Sequence, residues 1–237
     1  MAIELGAPLE LPHFKPGIDL DDVVFQTAPL TIDMHNEWHG TQLTMADWYD
    51  VDGNLEHWGV SESEEAFVHV DEILASDEFA DRVEPVEGAL EMMDEAGDFD
   101  GVTGRPVTLE EVTYAALAKH FPGKFDRGNV DFTNYRGVLP ARSKSVVVIE
   151  KGLTNFFEDL PRHANDLVAN GIRTVLFGKY PWNQAGTYRG LLREIHPLLI
   201  TAPDMDAVRE FIRDEKALIA NLAPGERLPL EVGKRHY

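Results

Sequence analysis

The sequence predicts an α/β fold: a parallel sheet with helices on both faces, interrupted near its start by a small helical module. Three observations lead there. From Val102 onward short apolar stretches alternate with amphipathic ones, the pattern of strands joined by crossover helices. Carboxylates, hydroxyls and a lysine fall at the ends of those stretches. The segment from Thr44 to Gly97 is acidic and helical in pattern, with no strand alternation. A chain of 237 residues, 43% of them hydrophobic, can fill the core of one large domain carrying an insertion. The expected division is a main domain of residues 1–43 and 98–237 and an insertion of residues 44–97.

Taken in order, Gly17 to Leu20 follows Pro16 and reads as a short buried strand ending in carboxylates. Pro29 to His39 is helical, with Leu30, Met34 and Trp38 four apart and Gly40 as its stop. Inside the acidic segment, Ser63–Ala75 places Phe67, Val70 and Leu74 on one face, and Val86–Ala96 is a second helix. Asp98 to Val102 leads into the turn Thr103-Gly104-Arg105-Pro106 and is more polar than a buried central strand should be, so a short or displaced strand is expected. A helix marked by Leu109, Val112, Ala116 and His120 follows. Then come a strand at Val130–Thr133, a helix at Ser143–Lys151, a strand at Asn155–Phe157, a helix at Pro161–Asn170 opened by its proline, a strand at Ile172–Phe177 and a helix at Asp204–Asn221. The β-branched run Val146–Ile149 opposes the helix at Ser143, and Gly152 as a C-cap favours it.

Composition narrows the function. The formal charge of −21 argues against nucleic acid, whose phosphates require basic neutralisation. Much of the excess lies between Met45 and Asp100, where Arg82 is the lone basic residue. A solvated acidic surface accounts for it, and scarce lysine beside abundant Asp and Glu also fits adaptation to high salt. Without cysteine there are no disulfides and no Cys-ligated zinc, as in a reducing interior. The N-terminal stretch has acidic residues and prolines where a signal peptide needs a basic start and an apolar run, and no stretch is apolar enough to span a bilayer. The expectation is a soluble cytoplasmic protein with no nucleic-acid or membrane partner.

Asp19, Asp21 and Asp22 cluster at one strand end. Alternate residues of an extended chain point the same way, so Asp19 and Asp21 can share a site, and two carboxylates held together call for a hard cation such as Mg²⁺. Either Asp21 or Asp22 could equally cap a turn or helix. Thr103 and Gly104 offer a hydroxyl and backbone N–H groups that suit a phosphate oxygen, or form a plain turn. Lys144 opens a helix, where a cation is unfavourable for the helix dipole, although exposed lysines are common. Glu158 and Asp159 supply a second carboxylate pair, or an N-cap.

In this order the runs Gly17-Ile18-Asp19-Leu20-Asp21-Asp22-Val23, Val102-Thr103-Gly104-Arg105-Pro106, Arg142-Ser143-Lys144 and Phe157-Glu158-Asp159 resemble the four motifs of the haloacid dehalogenase superfamily. The chain more closely resembles the 5′(3′)-deoxyribonucleotidases of the cytosolic type, with His35–Thr41 and Val175–Asn183 matching flanking segments over a span from Pro16 to Asn183. The resemblance implies the Rossmann-like fold of that superfamily, with the helical insertion as a cap, and a phosphatase acting on a small phosphomonoester, a nucleoside monophosphate foremost. It implies Asp19 as nucleophile, Asp21 as acid and base, Thr103, Gly104 and Lys144 on the phosphate, and Mg²⁺ held by Asp19, the backbone carbonyl of Asp21, and Asp159. Lys151 competes for the lysine role but lies close to the fourth motif. Other readings are another ester, such as a sugar phosphate, and a non-catalytic binding protein on the same fold.

His35 and His39 stand one helical turn apart, a spacing that can hold zinc, with His57 and His69 further on; no motif places a third ligand, and covering a helix face explains the pair more simply. Trp48, Tyr49, Trp58 and Phe67 could stack on a base or form the insertion's own core. Arg105, Lys124, Arg127 and Arg136 could each meet a phosphate in so acidic a chain, and surface placement is expected for any one of them.

Overall fold

The computed structural model describes residues 14–134, 141–184 and 197–222. One wholly parallel sheet contains β1 (Pro16–Ile18), β2 (Asp100–Thr103), β3 (Val130–Phe132), β4 (Asn155–Glu158), β5 (Arg173–Phe177) and β6 (Leu199–Ala202), ordered β3-β2-β1-β4-β5-β6. Between β1 and β2 run α1 (Thr27–His39), α2 (Met45–Tyr49), α3 (Leu55–Trp58), α4 (Ser63–Leu74), α5 (Asp77–Arg82) and α6 (Ala89–Ala96). Then α7 (Glu110–His120) joins β2 to β3, α8 (Lys144–Glu150) precedes β4, α9 (Pro161–Ala169) joins β4 to β5, and α10 (Met205–Asn221) follows β6. No helix among the described residues is long and apolar enough to cross a membrane.

Both faces of the sheet are covered, and alternate strand residues show it. Phe157, Val175 and Phe177 join a large apolar cluster with Phe211 and Ile212 of α10, whereas Phe156 packs with Val147 and Val148 of α8 and Leu167 of α9. The large cluster also takes in Trp58, Ala66, Val70, Ile73 and Phe79, so the helical segment after α1 packs on the same core as Ile18 and Leu20. β1 is three residues long and fits because Gly17 has no side chain. A Cβ there would lie 2.5 Å from the Phe156 ring and 2.9 Å from Leu153.

The polar strand is short and shifted, as expected: β2 has four residues, begins at Asp100 rather than Asp98 and takes in Thr103. β2 sits between β1 and β3 with every residue buried, because Asp100 is neutralised by Lys15 (3.0 Å) and Lys151 (2.9 Å). Lys151 also holds Asp131 at 2.7 Å, which removes it as a competitor for the lysine role. The helix expected at Ser143 forms, capped by the Ser143 hydroxyl accepting from the Val146 N–H, with burial of Val147 and Val148 outweighing their β-branching. The helix expected from Val86 begins only at Ala89: Pro85 bridges Phe25, and the Val86 N–H donates to the Val24 carbonyl instead.

Candidate active site

β1 and β4 are neighbours although the chain leaves β1 toward β2, so the crevice at their carboxyl ends is the topological switch point, where open α/β sheets bind ligands. Ile18 pairs with Phe157, and the Asp19 N–H donates to the Phe157 carbonyl at 3.0 Å. That register sets Asp19 beside Glu158 and Asp159. Lys144, 3% exposed, places Nζ 2.7 Å from Asp19 Oδ2 and 2.8 Å from Glu158 Oε2. Thus the first residue of α8 crosses to the ends of β1 and β4. The second oxygen of Asp19 accepts the Leu20 N–H, Glu158 Oε1 accepts that of Leu160, and Asp159 Oδ2 accepts the Trp182 indole N–H at 2.8 Å.

Charge balance in this crevice is incomplete. Burial and the neighbouring carboxylates push Asp159 well above the ordinary range, and the charge of Lys144 does not overcome them. Asp19 is likewise raised by burial, against the pull of Lys144, while for Glu158 burial is outweighed by Lys144 and the carboxyl is lowered. Lys144 loses by burial and gains more from its two carboxylate partners, so it stays protonated. Three buried carboxylates thus share one ammonium. Asp19, Glu158 and Asp159 offer oxygens within 4.8 Å of one another, a hard donor set with surplus negative charge, and this fits Mg²⁺.

Asp21 faces another partner. Arg105, expected on the surface, is 4% exposed, and its Nη2 lies 2.7 Å from Asp21 Oδ1 while its Nε reaches both carboxylate oxygens. The guanidinium is braced by Thr113 Oγ1 at 3.0 Å. Thr27 and Thr103 donate their hydroxyls to Asp21 at 2.7 Å and 3.3 Å. Burial raises the Asp21 carboxyl, but Arg105 and these hydrogen bonds more than offset it, and the net shift is downward. Asp22, which the sequence leaves without a role, adopts φ 56° and accepts the Ala28 N–H, tying the turn to the start of α1. Burial pushes its carboxyl up to about 8.

A cavity of about 120 Å³ opens above these groups. Asp19, Asp21, Lys144, Asp159 and Gly104 line it from the sheet side; Trp48 of α2 and Val70, Asp71 and Leu74 of α4 line it from the helical segment. Thr103 is fully buried, with its hydroxyl committed to Asp21 and accepting the Arg105 N–H. Arg162 and His163 also line the cavity and are absent from the sequence-based site; their place at the start of α9, directly after Asp159, was the available signal. Trp58 is 1% exposed in the core, and Phe67 packs against that core. Lys124 pairs with Asp94, and Arg127 with Glu110 and Glu111, so these two behave as surface residues. Arg136 and the Tyr49 side chain lie outside the described residues.

No family model matches the chain, and no curated protein matches it. Solved structures do. A protein described as a predicted phosphatase from Clostridium acetobutylicum superposes with a TM-score of 0.55 at 11% identity, over 85% of this chain and 99% of that one. A HAD family hydrolase from Deinococcus radiodurans with bound phosphate and sodium gives 0.52 at 14% identity, over 88% and 97%. A HAD-superfamily hydrolase from Ehrlichia chaffeensis gives 0.50 at 12%, over 84% and 96%. Six parallel strands covered on both faces form the Rossmann-like fold of these haloacid dehalogenase-type structures.

Proposed function

We propose that the protein is a magnesium-dependent phosphatase that hydrolyses a small phosphomonoester through a phosphoryl group carried on Asp19. The observation that carries this reading is the meeting of Asp19, Lys144 and Asp159 in one buried crevice, with Asp21 beside it on a separate cation. A phosphate dianion can approach an anionic nucleophile only where the site supplies positive charge. Mg²⁺, held by Asp19, Asp159 and the Asp21 backbone carbonyl, would supply that charge at the phosphate oxygens.

The remaining chemistry belongs to the chain. Lys144 orients Asp19 and screens it from Glu158. An Asp19 oxygen forms a bond to phosphorus as the ester P–O bond breaks, and Asp21 gives the leaving oxygen a proton. Water then attacks the phosphorus, its proton passes to Asp21, and the Asp19 carboxylate is released with inorganic phosphate. Asp21 reaches the substrate because its side chain keeps 27% exposure. Gly104 lines the phosphate end of the cavity, and the helical insertion serves as a cap that excludes water.

For the substrate, a nucleoside monophosphate is favoured by Trp48, which backs onto Trp58 (5.9 Å between ring centroids) and offers an aromatic surface to the cavity. A smaller ester such as a sugar phosphate is favoured by the volume, since about 120 Å³ is below the roughly 300 Å³ at which drug-sized sites begin. A panel of nucleoside monophosphates and sugar phosphates, assayed with Mg²⁺ and with EDTA at low and high salt, separates the two. Turnover with Mg²⁺ and none with EDTA is expected; failure to hydrolyse any phosphomonoester refutes the phosphatase reading.

A further inference from the structure

Away from the acidic crevice, three histidines from two helices meet. His35 and His39 lie on α1, and His69 comes from α4, 34 residues after His35. One ring nitrogen from each lies within 4.8 Å of the other two. The closest pair, His35 Nε2 and His69 Nδ1, is 3.1 Å apart. A tetrahedral ion with metal–nitrogen bonds of about 2.0–2.1 Å separates its ligands by about 3.3 Å, so this pair already has that spacing. His39 is exposed and its ring stacks on His69 at 3.8 Å, where a turn of the side chain can close the remaining gap.

The hydrogen-bond network around His35 specifies its tautomer. Thr41 has one hydroxyl proton and donates it to Asn36 Oδ1 at 2.8 Å. The 2.9 Å contact between His35 Nδ1 and Thr41 Oγ1 must then be donated by the imidazole, so Nδ1 carries the hydrogen. The Nε2 lone pair therefore points at the cluster. A histidine fixed through its other nitrogen by a polar partner is the arrangement that supports metal ligation. The ring is further held edge-on to Trp58, 4.9 Å between centroids, and is fully buried. On the open side Glu72 is exposed on α4, three residues after His69 and so on the same helix face.

We propose that His35 Nε2, His39 and His69 form a site for a divalent transition-metal ion of the zinc class, with water or Glu72 completing the coordination. Three imidazoles favour such ions over Mg²⁺, which seeks oxygen. The site would fasten α4 to α1. Because Val70, Asp71 and Leu74 of α4 line the active-site cavity, the ion would fix the wall opposite Asp19. This proposal does not depend on the phosphatase reading.

Cobalt(II) is the direct probe, since tetrahedral nitrogen ligation gives it visible absorption. Full-length protein is dialysed against EDTA, supplied with excess Mg²⁺ to occupy the acidic crevice, and titrated with Co²⁺. The expected result is one Co²⁺ per chain with intense visible bands, displaced by Zn²⁺ and retained in Asp19→Asn. His39→Ala, a change at an exposed position, should abolish the bands and weaken binding at least tenfold, and His69→Ala should do the same. Zn²⁺ should raise the melting temperature of the native protein and not of His39→Ala. Absence of the bands, or equal Co²⁺ affinity in native protein and His39→Ala, overturns the proposal.

Discussion

Asp21 and Arg105 show how one side chain sets the chemistry of another. On the proposed mechanism Asp21 must both give and take a proton, and its carboxyl sits against a guanidinium that favours the ionised form. Replacing Arg105 with Gln removes the positive charge that opposes the effect of burial, so the carboxyl of Asp21 rises. Whichever half-reaction limits turnover, the pH limb governed by Asp21 should move to higher pH by about 1–3 units. A kcat–pH profile of Arg105→Gln checks this, and a limb left in place would show that Asp21 is not the proton carrier. The roles read from residues alone have uneven support for physical reasons. Asp19, Lys144 and Asp159 are brought together because each follows or opens an element whose position the pattern already implied. Arg105 was misread because an isolated arginine in a turn carries no mark of burial; its partners, Asp21 and Thr113, lie 84 and 8 residues away and only the fold unites them. The histidine cluster was hidden for the same reason, as His69 is 34 residues beyond His35.

At the level of elements, legibility followed signal strength. α9 was announced by Pro161 at its first turn, and β5 by the apolar run Val175-Leu176-Phe177 after Ile172, and both form where expected to within a residue. The short helices α2, α3 and α5, of five, four and six residues, contain too few turns to show a period and went unread. β6 was also missed, although Leu198-Leu199-Ile200 is an apolar run of strand length. β2 is short and shifted as its polarity suggests, and its full burial was not legible because the lysines that neutralise Asp100, Lys15 and Lys151, are remote in sequence. β1 makes the sharpest demand on its sequence. Gly17→Ala would drive a methyl group to 2.5 Å from Phe156, at the strand that delivers Asp19. Overpacking of this kind should cost about 1–3 kcal/mol, read as a lower midpoint in urea denaturation with an unchanged slope. A midpoint equal to that of the native protein would mean that the Phe156 ring yields freely.

Across the whole molecule, the fold explains why the candidate site residues are so dispersed along the chain. A doubly wound sheet collects strand ends at its switch point, so Asp19, Thr103 and Asp159 arrive from β1, β2 and β4 while Lys144 enters from α8. The helical segment between β1 and β2 adds the opposite wall and shares the main apolar cluster. Its apolar residues therefore report on the stability of the sheet as well as on the shape of the cavity. The central claim, that Asp19 carries the phosphoryl group, is tested most directly by acid-quenching the enzyme during turnover of p-nitrophenyl phosphate with Mg²⁺ and mapping phosphate by peptide mass spectrometry. The account predicts a phosphoryl adduct on Asp19, lost in Asp19→Asn together with a fall in kcat of about 10⁴-fold or more. Turnover that proceeds with no adduct, or an adduct and full activity surviving in Asp19→Asn, would contradict it.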